Sequence, residues 1–541
     1  MGPTLADRPR DRGTHVTPMR ARLAPLALAF GLGLAHASAF APLSHWAWAL
    51  AVLAALFALL RARAARGATP LAQGGLAFAF GLGWFGAGLA WLYVSMHDYG
   101  GMPAPMAAAA VVLFAAYLSL YPAAAAWLAA SACAGRGPIV HAFGLTGATT
   151  LAELARGTVF TGFPWLAIGY AQLDGPLDRL APLAGVFGVG AAAVALAALA
   201  AVAAVGGTRE VVRTRDAVRT RGLAAGLAAA IAFGPLAVPR DAWTRPAGPP
   251  LDVRLVQGNV AQDMKFRPDR TVAAMQDYAE RFEASRATLT VLPETAWTLP
   301  WDRTPAPIAE RILAHVMRGH ALAIGLPAFV VPAGGGEPAL ANSVLLLRAD
   351  PYGAPAPRYD KRHLVPFGEF VPWGFGWFVR MMNIPLGDFA RGDAHQPPFE
   401  IGGQRVAFNV CYEDLFGDEL RASLGGERGA TVLANVSNIA WFGRSHALPQ
   451  HLAIARMRTL ETSRPMLRAT NTGVTAAIDA DGRVLARLPD HVAASLDVRV
   501  QGRTGLTPFA RAGDAIAWIG ALALVAACAL ASRAGRAGRT R

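Results

Sequence analysis

The sequence predicts a polytopic α-helical membrane protein that carries an α/β domain outside the cytoplasm. Hydrophobic residues make up 54% of the 541 residues and charged residues only 16%, which is an unusual balance for a soluble protein. The apolar residues are concentrated before about residue 240 and again after Asp514. Between these regions, short apolar runs alternate with turn signals and helical patterns, as they do in α/β domains. The chain therefore divides into a membrane part and an inserted folded domain.

Eight apolar segments approach the length of about 20 residues that a helix needs to cross the hydrocarbon core of a bilayer. Seven precede the inserted domain, near 23–41, 46–60, 74–95, 104–130, 139–157, 181–205 and 222–238, and the eighth covers about 514–532. Many are rich in Ala and Gly, which permit close helix packing in lipid. The predicted organisation is a basic N-terminus (1–22), a seven-helix membrane domain (23–240), the inserted domain (250–505), the eighth membrane helix (514–532) and a basic tail (533–541).

The arginines predict the orientation of these helices. They cluster before the first segment and after the second, fourth, sixth and eighth, whereas the intervening loops are nearly free of Lys and Arg. The positive-inside rule then places both termini in the cytoplasm and 250–505 outside, in the periplasm if the cell has two membranes. Because topology accounts for the arginines, the net charge of +14 does not indicate a nucleic-acid partner.

Cys411 is the thiol best placed for covalent chemistry. It lies between a predicted strand at 405–410 and two acidic residues that suit the first turn of a helix. At such a junction, unpaired backbone N–H groups are expected to lower the pKa of the thiol. The other two cysteines, Cys133 and Cys528, lie in long apolar segments. Three cysteines provide neither a disulfide framework nor metal-ligand spacing.

Glu294, Lys361 and Cys411 lie at predicted strand ends, where open α/β folds place reactive groups. A carboxylate could take the thiol proton, the thiolate could attack a carbonyl carbon and the ammonium could stabilise the developing negative charge. Each residue has a structural alternative: a buried core cysteine, a glutamate near a helix N-terminus and a lysine in a solvated charged segment. The three together favour a nucleophilic site.

Three motifs that contain these residues resemble the carbon–nitrogen hydrolase (nitrilase) superfamily. They are LPET at 292–295, YDKRHLVPFGE at 359–369 and NVCYED at 409–414, in the order expected for that superfamily. With seven apolar segments before the domain and one after it, the whole chain resembles the apolipoprotein N-acyltransferase family. The resemblance implies an αββα sandwich, with Glu294 as general base, Lys361 as oxyanion stabiliser and Cys411 as nucleophile.

The resemblance also implies supporting residues. Glu369 corresponds to a second glutamate that orients the lysine and keeps it charged. Tyr412 and Glu413 match the residues beside the nucleophile, and Asn342 matches a further position near the site. At Phe266 the family often has Trp; Phe retains an aromatic surface for lipid but lacks the indole N–H.

The reaction implied by the resemblance has two steps. Cys411 takes an acyl chain from a phospholipid as a thioester and then passes it to the α-amine of a diacylglyceryl-modified N-terminal cysteine on a lipoprotein. The expected partners are the phospholipid donor, the apolipoprotein acceptor and the membrane, with no cofactor and no metal. The expected protein is a monomer in the inner (cytoplasmic) membrane of a bacterium, with its catalytic domain in the periplasm.

Two alternatives remain open at this stage. In a membrane-tethered amidase or nitrilase, water would replace the acceptor amine, and the three predicted catalytic residues do not distinguish this from an acyltransferase. A transporter with an external regulatory domain is the other alternative. The apolar segments contain few charged residues, which disfavours transport.

Two segments rich in aromatic residues are predicted to border the site. The segment 370–389 contains Trp373, Phe375 and Trp377 between Gly and Pro residues, and we expect a mobile lid that dips into the membrane interface. Its alternative is a buried core loop. The segment 438–451 is a second candidate rim, with Trp441 exposed to lipid.

Overall fold

A computed structural model of the chain describes residues 19–205, 215–262, 265, 267–331, 337–350, 353, 355–374, 376 and 389–537. Within these residues, a long helix lies at each of the eight predicted apolar segments. The helices are α1 (Met19–Ala37), α2 (Trp46–Ala65), α3 (Pro70–Gly88), α4 (Ala104–Ala132), α5 (Pro138–Arg156), α6 (Ala181–Val205), α7 (Arg215–Phe233) and, after the inserted domain, α11 (Ala515–Ala537).

The helices differ in how well they meet the requirements of a membrane span. Among the described residues, four are individually long and apolar enough to cross: Trp46–Ala65, Ala104–Ala132, Pro176–Ala204 and Arg215–Ala237. A fifth span results if α3 and the segment Leu92–Tyr99, which are bent by 59°, count as one. The apolar parts of α1 and α11, Leu23–Ala37 and Ala515–Ala531, are shorter. The count of eight spans therefore stays a prediction.

Glycines allow the first and third helices to lie in direct backbone contact. A Cβ atom on Gly33 would lie 1.9 Å from the carbonyl oxygen of Phe80, and one on Gly83 would lie 2.2 Å from that of Phe30. No side chain larger than hydrogen fits at these positions without moving the helices apart. This is the small-residue packing expected between helices in lipid.

The inserted domain is a sandwich of two six-stranded sheets. Their strands are β2 (Leu251–Gln257), β3 (Leu289–Val291), β4 (Ala321–Val330), β5 (Ala339–Leu347), β6 (Arg358–Asp360), β7 (Phe399–Ile401), β8 (Gln404–Val410), β9 (Val432–Ser437), β10 (Met466–Thr470), β11 (Ala476–Ile478), β12 (Val484–Arg487) and β13 (Ala494–Val500). The first sheet has the order β13-β2-β3-β4-β5-β6 and the second β12-β11-β10-β9-β8-β7. The short strands β1 (Arg245–Pro246) and β14 (Arg503–Thr504) pair with each other beside the sandwich.

Alternating side chains of the two sheets form one apolar core between them. Val253 of β2, Val406 and Phe408 of β8 and Val432 of β9 all belong to it. Helices α8 (Pro268–Glu283) and α9 (Ala306–Val316) cover the outer face of the first sheet. Helix α10 (Ala447–Thr462) packs beside β10 and the membrane helices. This arrangement confirms the predicted α/β sandwich inserted into a helical membrane protein.

Helix α10 joins the sandwich to the membrane domain through buried hydrogen bonds. The side-chain oxygen of Gln450 accepts from the indole N–H groups of Trp91 (3.1 Å) and Trp165 (2.7 Å). Near the other end of the helix, Glu461 accepts from the backbone N–H of Val186 at 2.7 Å. Because these polar groups are removed from water, each needs the partner that it has here. These buried hydrogen bonds hold the sandwich against the membrane helices.

Candidate active site

The three predicted catalytic residues lie at strand ends, and electrostatic interactions link them. Glu294 lies three residues beyond β3, Lys361 directly follows β6 and Cys411 directly follows β8. The N–H of Lys361 donates to the carbonyl oxygen of Asn342 on β5 at 2.8 Å, which brings the lysine to the same end of the sheet as the asparagine. The charges of Glu294 and Lys361 both act on the Cys411 thiol. Their catalytic roles stay predictions, and the geometry allows these to be argued in detail.

Two carboxylates surround the Lys361 ammonium. Its Nζ atom lies 2.9 Å from Glu369 and 3.5 Å from Oε1 of Glu294. Asn342 joins the two acids, since its side-chain NH2 donates to Glu294 at 2.7 Å and to Glu369 at 2.8 Å. Burial alone lowers the pKa of Lys361, but the carboxylates of Glu369 and then Glu294 outweigh it and raise the pKa above its usual value. Lys361 is therefore a permanent cation.

The same contacts keep Glu294 ionised. Burial alone raises its pKa, but Lys361, the Asn342 side chain and the backbone N–H of Asn438, which donates to Oε2 at 2.7 Å, together hold the pKa below its ordinary value. A carboxylate that stays deprotonated beside a thiol can serve as a general base.

Cys411 lies at a sharp backbone turn. Its φ of 53° is in the left-handed region, which is uncommon for a residue with a side chain, and its carbonyl oxygen accepts from the Asn435 side chain at 3.1 Å. Such strain is often found at functional sites. It directs the chain away from β8 immediately after the strand ends.

The expectation that backbone N–H groups lower the pKa of Cys411 is wrong. Burial, followed by the negative charge of Glu294, raises the pKa of the thiol to about 12, and Lys361 only partly opposes this. The physical reason is that burial disfavours the charged thiolate and the Glu294 carboxylate repels it, while the segment Cys411–Leu415 is only a short 3-10 helix. The resting nucleophile is therefore a thiol that requires a base.

Glu413 holds the nucleophile turn against the segment after Lys361. One carboxylate oxygen accepts from the N–H groups of Arg362 (2.7 Å) and His363 (3.0 Å), and the other from Val410 N–H (2.6 Å) and the Tyr359 hydroxyl (2.9 Å). All four donors come from the chain on either side of Lys361 or Cys411. Glu413, predicted as a supporting residue, therefore acts as a structural clamp that holds the chain around Lys361 against the chain around Cys411.

Tyr412 connects the site to the membrane domain. Its hydroxyl donates to the carbonyl oxygen of Gly162 at 2.9 Å, in the loop that follows α5. The ring lies near those of Phe163, His363 and Phe416. The residue next to the nucleophile therefore touches both parts of the protein.

Of the aromatic residues predicted to contact lipid, the structure describes Trp373 and Trp441. Trp373 is 98% exposed, so it is not part of a buried core. Phe266, Phe375 and Trp377 lie outside the described residues. Trp441 is half-buried, with its ring 6.2 Å from that of Tyr99 of the membrane domain, and its contact with lipid stays a prediction.

Sequence reasoning missed Lys265. This residue is buried, and its Nζ atom donates to the backbone carbonyl oxygen of Glu294 at 3.1 Å. A signal was available, because Lys265 and Lys361 are the only two lysines in the sequence. Among the described residues, no group of three or more His, Cys, Asp and Glu side chains is arranged to hold a metal ion.

The sandwich and its Glu, Lys and Cys residues define a carbon–nitrogen hydrolase domain, and the comparisons with known proteins agree. Residues 252–506 match the family described as carbon-nitrogen hydrolase, and residues 32–199 match the apolipoprotein N-acyltransferase N-terminal domain.

Whole-chain relatives narrow the assignment. A protein named apolipoprotein N-acyltransferase from Ralstonia nicotianae is 48% identical, over 95% of this chain and 94% of its own length. Proteins of the same name from Bordetella bronchiseptica (46% identical; 92% of this chain, 95% of theirs) and Nitrosomonas europaea (39%; 94% and 98%) are also similar. This chain belongs to the apolipoprotein N-acyltransferase family.

Proposed function

We propose that this protein transfers an acyl chain from a phospholipid, through a thioester on Cys411, to the N-terminal α-amine of a diacylglyceryl-cysteine lipoprotein. The observation that carries the proposal is the joining of the Glu294–Lys361–Cys411 site to a helical membrane domain, through the Tyr412–Gly162 hydrogen bond. A soluble amidase has no need for such a connection. Both lipid substrates, in contrast, have their reactive groups at a membrane surface.

In the first half-reaction, the Glu294 carboxylate removes the proton of Cys411 as the sulfur attacks the ester carbonyl carbon of the phospholipid. Lys361 stabilises the oxyanion that forms. Glu369 holds the Lys361 ammonium in place, and Asn342 positions the carboxylates of Glu294 and Glu369. The bond between the carbonyl carbon and the glycerol oxygen then breaks. Glu294 returns its proton to that oxygen, and a lysophospholipid leaves.

In the second half-reaction, the acceptor amine attacks the thioester carbonyl carbon. Glu294 accepts a proton from the amine nitrogen, the carbon–sulfur bond breaks, and the proton passes to the Cys411 sulfur. The product is an amide, which is more stable than the thioester. The stored reactivity of the thioester drives the transfer, so the scheme has no step that consumes ATP.

The surroundings of the reaction form part of the same proposal. The protein would act as a monomer in the inner membrane of a bacterium, with residues 250–505 in the periplasm. The distribution of arginines among the helix connections supports this orientation.

The proposal is tested by intact mass spectrometry of the purified protein after incubation with phospholipid vesicles. We expect one added acyl chain, absent in Cys411→Ala. A lipopeptide that carries the diacylglyceryl cysteine should then remove the chain and appear as its N-acyl amide. If the acyl-enzyme instead releases free fatty acid at the same rate with and without the lipopeptide, the protein is a hydrolase and the proposal is wrong.

A further inference from the structure

The chain uses arginine at almost every basic position. It contains 48 arginines and 2 lysines. Both lysines, Lys265 and Lys361, are buried, with 5% and 1% of their surface exposed, and both contact Glu294. A lysine differs from an arginine in being a compact charge that can lose its proton. The site therefore holds both of the chain's lysines, and the function proposed above uses only one of them.

Lys265 is held beside Glu294 by a network of side-chain amides. The backbone N–H of Lys265 donates to the carbonyl oxygen of Gln262, whose side chain accepts from Asn438 at 2.9 Å. Asn438 in turn donates its own N–H to the Glu294 carboxylate. The loop that carries Lys265 is thus tied to Asn438, the residue whose backbone N–H also binds the carboxylate of Glu294.

The two lysines differ in how their charges are engaged. Lys361 lies between two carboxylates, Glu369 and Glu294. Among the described residues, the Lys265 ammonium donates only to a neutral carbonyl oxygen. Its titratable neighbours that interact with it electrostatically are Glu294 and the Cys411 thiol.

The charge balance of the site shows what the Lys265 ammonium would do. Glu294 and Glu369 contribute two negative charges, and Lys361 contributes one positive charge. A proton that moves from Cys411 to Glu294 shifts one of the negative charges onto sulfur, in a buried site where Lys361 is already engaged by Glu369. We propose that Lys265 is the second cation of the active site and stabilises the negative charge on the Cys411 sulfur as Glu294 removes its proton.

Because residue 265 is a lysine and not an arginine, its charge depends on pH. Burial lowers the pKa of Lys265 to about 8, although Glu294 and Cys411 oppose the shift. The positive charge is therefore present below about pH 8 and is lost as the pH rises through that value. Lys361, whose pKa is raised, keeps its charge throughout.

The test is the rate at which iodoacetamide alkylates Cys411, measured by intact mass from pH 6 to pH 10 in the full-length protein. Lys265→Met keeps the length of the side chain and removes the charge. We expect it to slow alkylation about 10- to 100-fold at pH 6–7, as for loss of one charge near a reacting group in a partly buried site. Above pH 8 the wild-type protein loses the same charge, so the difference should shrink towards none.

Two further variants separate this role from a general structural one. Lys265→Arg keeps its charge at every pH, so its advantage over Lys265→Met should persist up to pH 10. Arg348→Met is the control variant. Within the part of the chain that the structure describes, the Arg348 side chain also donates to one backbone carbonyl oxygen, that of Glu400, and it lies beyond the end of β5 that is away from Asn342. It should alkylate at the wild-type rate.

Two outcomes overturn the inference. One is alkylation of Lys265→Met at the wild-type rate at pH 6–7. The other is a loss that is the same at every pH, which would indicate a distorted site. The inference rests on the proposed nucleophile, but alkylation requires no lipid. Failure to form an acyl adduct with phospholipid would overturn the proposed function and leave this measurement intact.

Discussion

At the scale of single residues, the site keeps its charges on the carboxylates and ammonium groups while the nucleophile stays neutral. Glu294 remains ionised through Lys361, Asn342 and the Asn438 N–H, whereas burial keeps Cys411 protonated. A resting thiolate would react with any electrophile that entered. In the proposed mechanism the proton is removed as the sulfur attacks, so the resting thiol reacts more slowly with other electrophiles than a thiolate would.

Glu294→Gln tests this assignment. The amide has almost the same shape but cannot accept a proton, so acylation of Cys411 should fall about 10²- to 10⁴-fold. The thermal midpoint of unfolding should change far less, and intact mass after incubation with phospholipid measures the rate. Acylation at the wild-type rate would remove Glu294 from the mechanism. Because the pKa of Glu294 is held below that of an ordinary glutamate, wild-type acylation should lose this base only at a pH below the ordinary glutamate pKa.

Glu413→Gln tests the clamp. The carboxylate accepts four hydrogen bonds. In a glutamine, one of the two oxygens becomes an NH2 group, which cannot accept a hydrogen bond from the two donors that face it. Leaving buried donors unsatisfied should lower the free energy of unfolding by about 1–3 kcal/mol and slow alkylation of Cys411. Unchanged denaturation and unchanged alkylation would show that the clamp is dispensable.

The sequence located the residues of the candidate site, but it did not predict the electrostatics of that site. Glu294, Lys361, Cys411 and their supporting residues lie in motifs whose order along the chain is informative. The pKa of Cys411 could not be derived in the same way, because it depends on burial and on a carboxylate more than 100 residues away. Lys265 was missed because it lies in a loop with no periodic pattern, although the scarcity of lysine pointed to it.

At the scale of elements, small residues determine how closely helices approach. The sequence predicted helices at the right positions because apolar segments of about 20 residues have few other solutions in lipid. It could not show which glycines face another helix. The packing of α1 against α3 shows that Gly33 and Gly83 face the neighbouring helix.

Gly33→Ala tests this contact. Its new methyl group would collide with the Phe80 carbonyl oxygen, so α1 and α3 would have to separate, at a cost of about 1–3 kcal/mol. We expect a lower thermal midpoint in detergent. Gly31→Ala is the matched control on the same helix, since a Cβ atom there meets nothing within 4 Å. Equal midpoints for the two variants would contradict the close approach.

Trp373→Ser tests the proposed lid. The side chain is 98% exposed on a domain whose proposed substrates lie in a membrane, and interfacial burial of one aromatic is worth about 1–3 kcal/mol. Acylation from phospholipid vesicles should therefore fall by about 5- to 100-fold, while alkylation by iodoacetamide stays unchanged. Met317→Ser, which removes another exposed apolar side chain at the end of α9, should affect neither rate. A lower thermal midpoint for Trp373→Ser would indicate a structural role instead.

At the scale of the whole molecule, contacts between distant parts of the chain connect the site to the membrane helices. Tyr412 and Gly162 are 250 residues apart, and Gln450 lies 359 residues from Trp91. No local pattern in the sequence predicts such pairs. The predicted domain boundaries, in contrast, rest on composition alone, which changes near residues 240 and 514.

Orientation in the membrane is the property of the whole molecule that the arginines predict. The connection between α6 and α7 carries Arg209 and Arg213 and should be cytoplasmic. If α7 crosses the membrane, it should lead into the catalytic domain on the other side. C-terminal reporter fusions truncated at Gly207 and at Ala287 should then report opposite sides. A reporter that is active only in the cytoplasm should work at Gly207 and fail at Ala287, and one that requires the periplasm should do the reverse. If both fusions report the same side, α7 does not cross the membrane and the eight-span arrangement is wrong. If that side is the cytoplasm, the catalytic domain also lies on the side opposite to the one proposed.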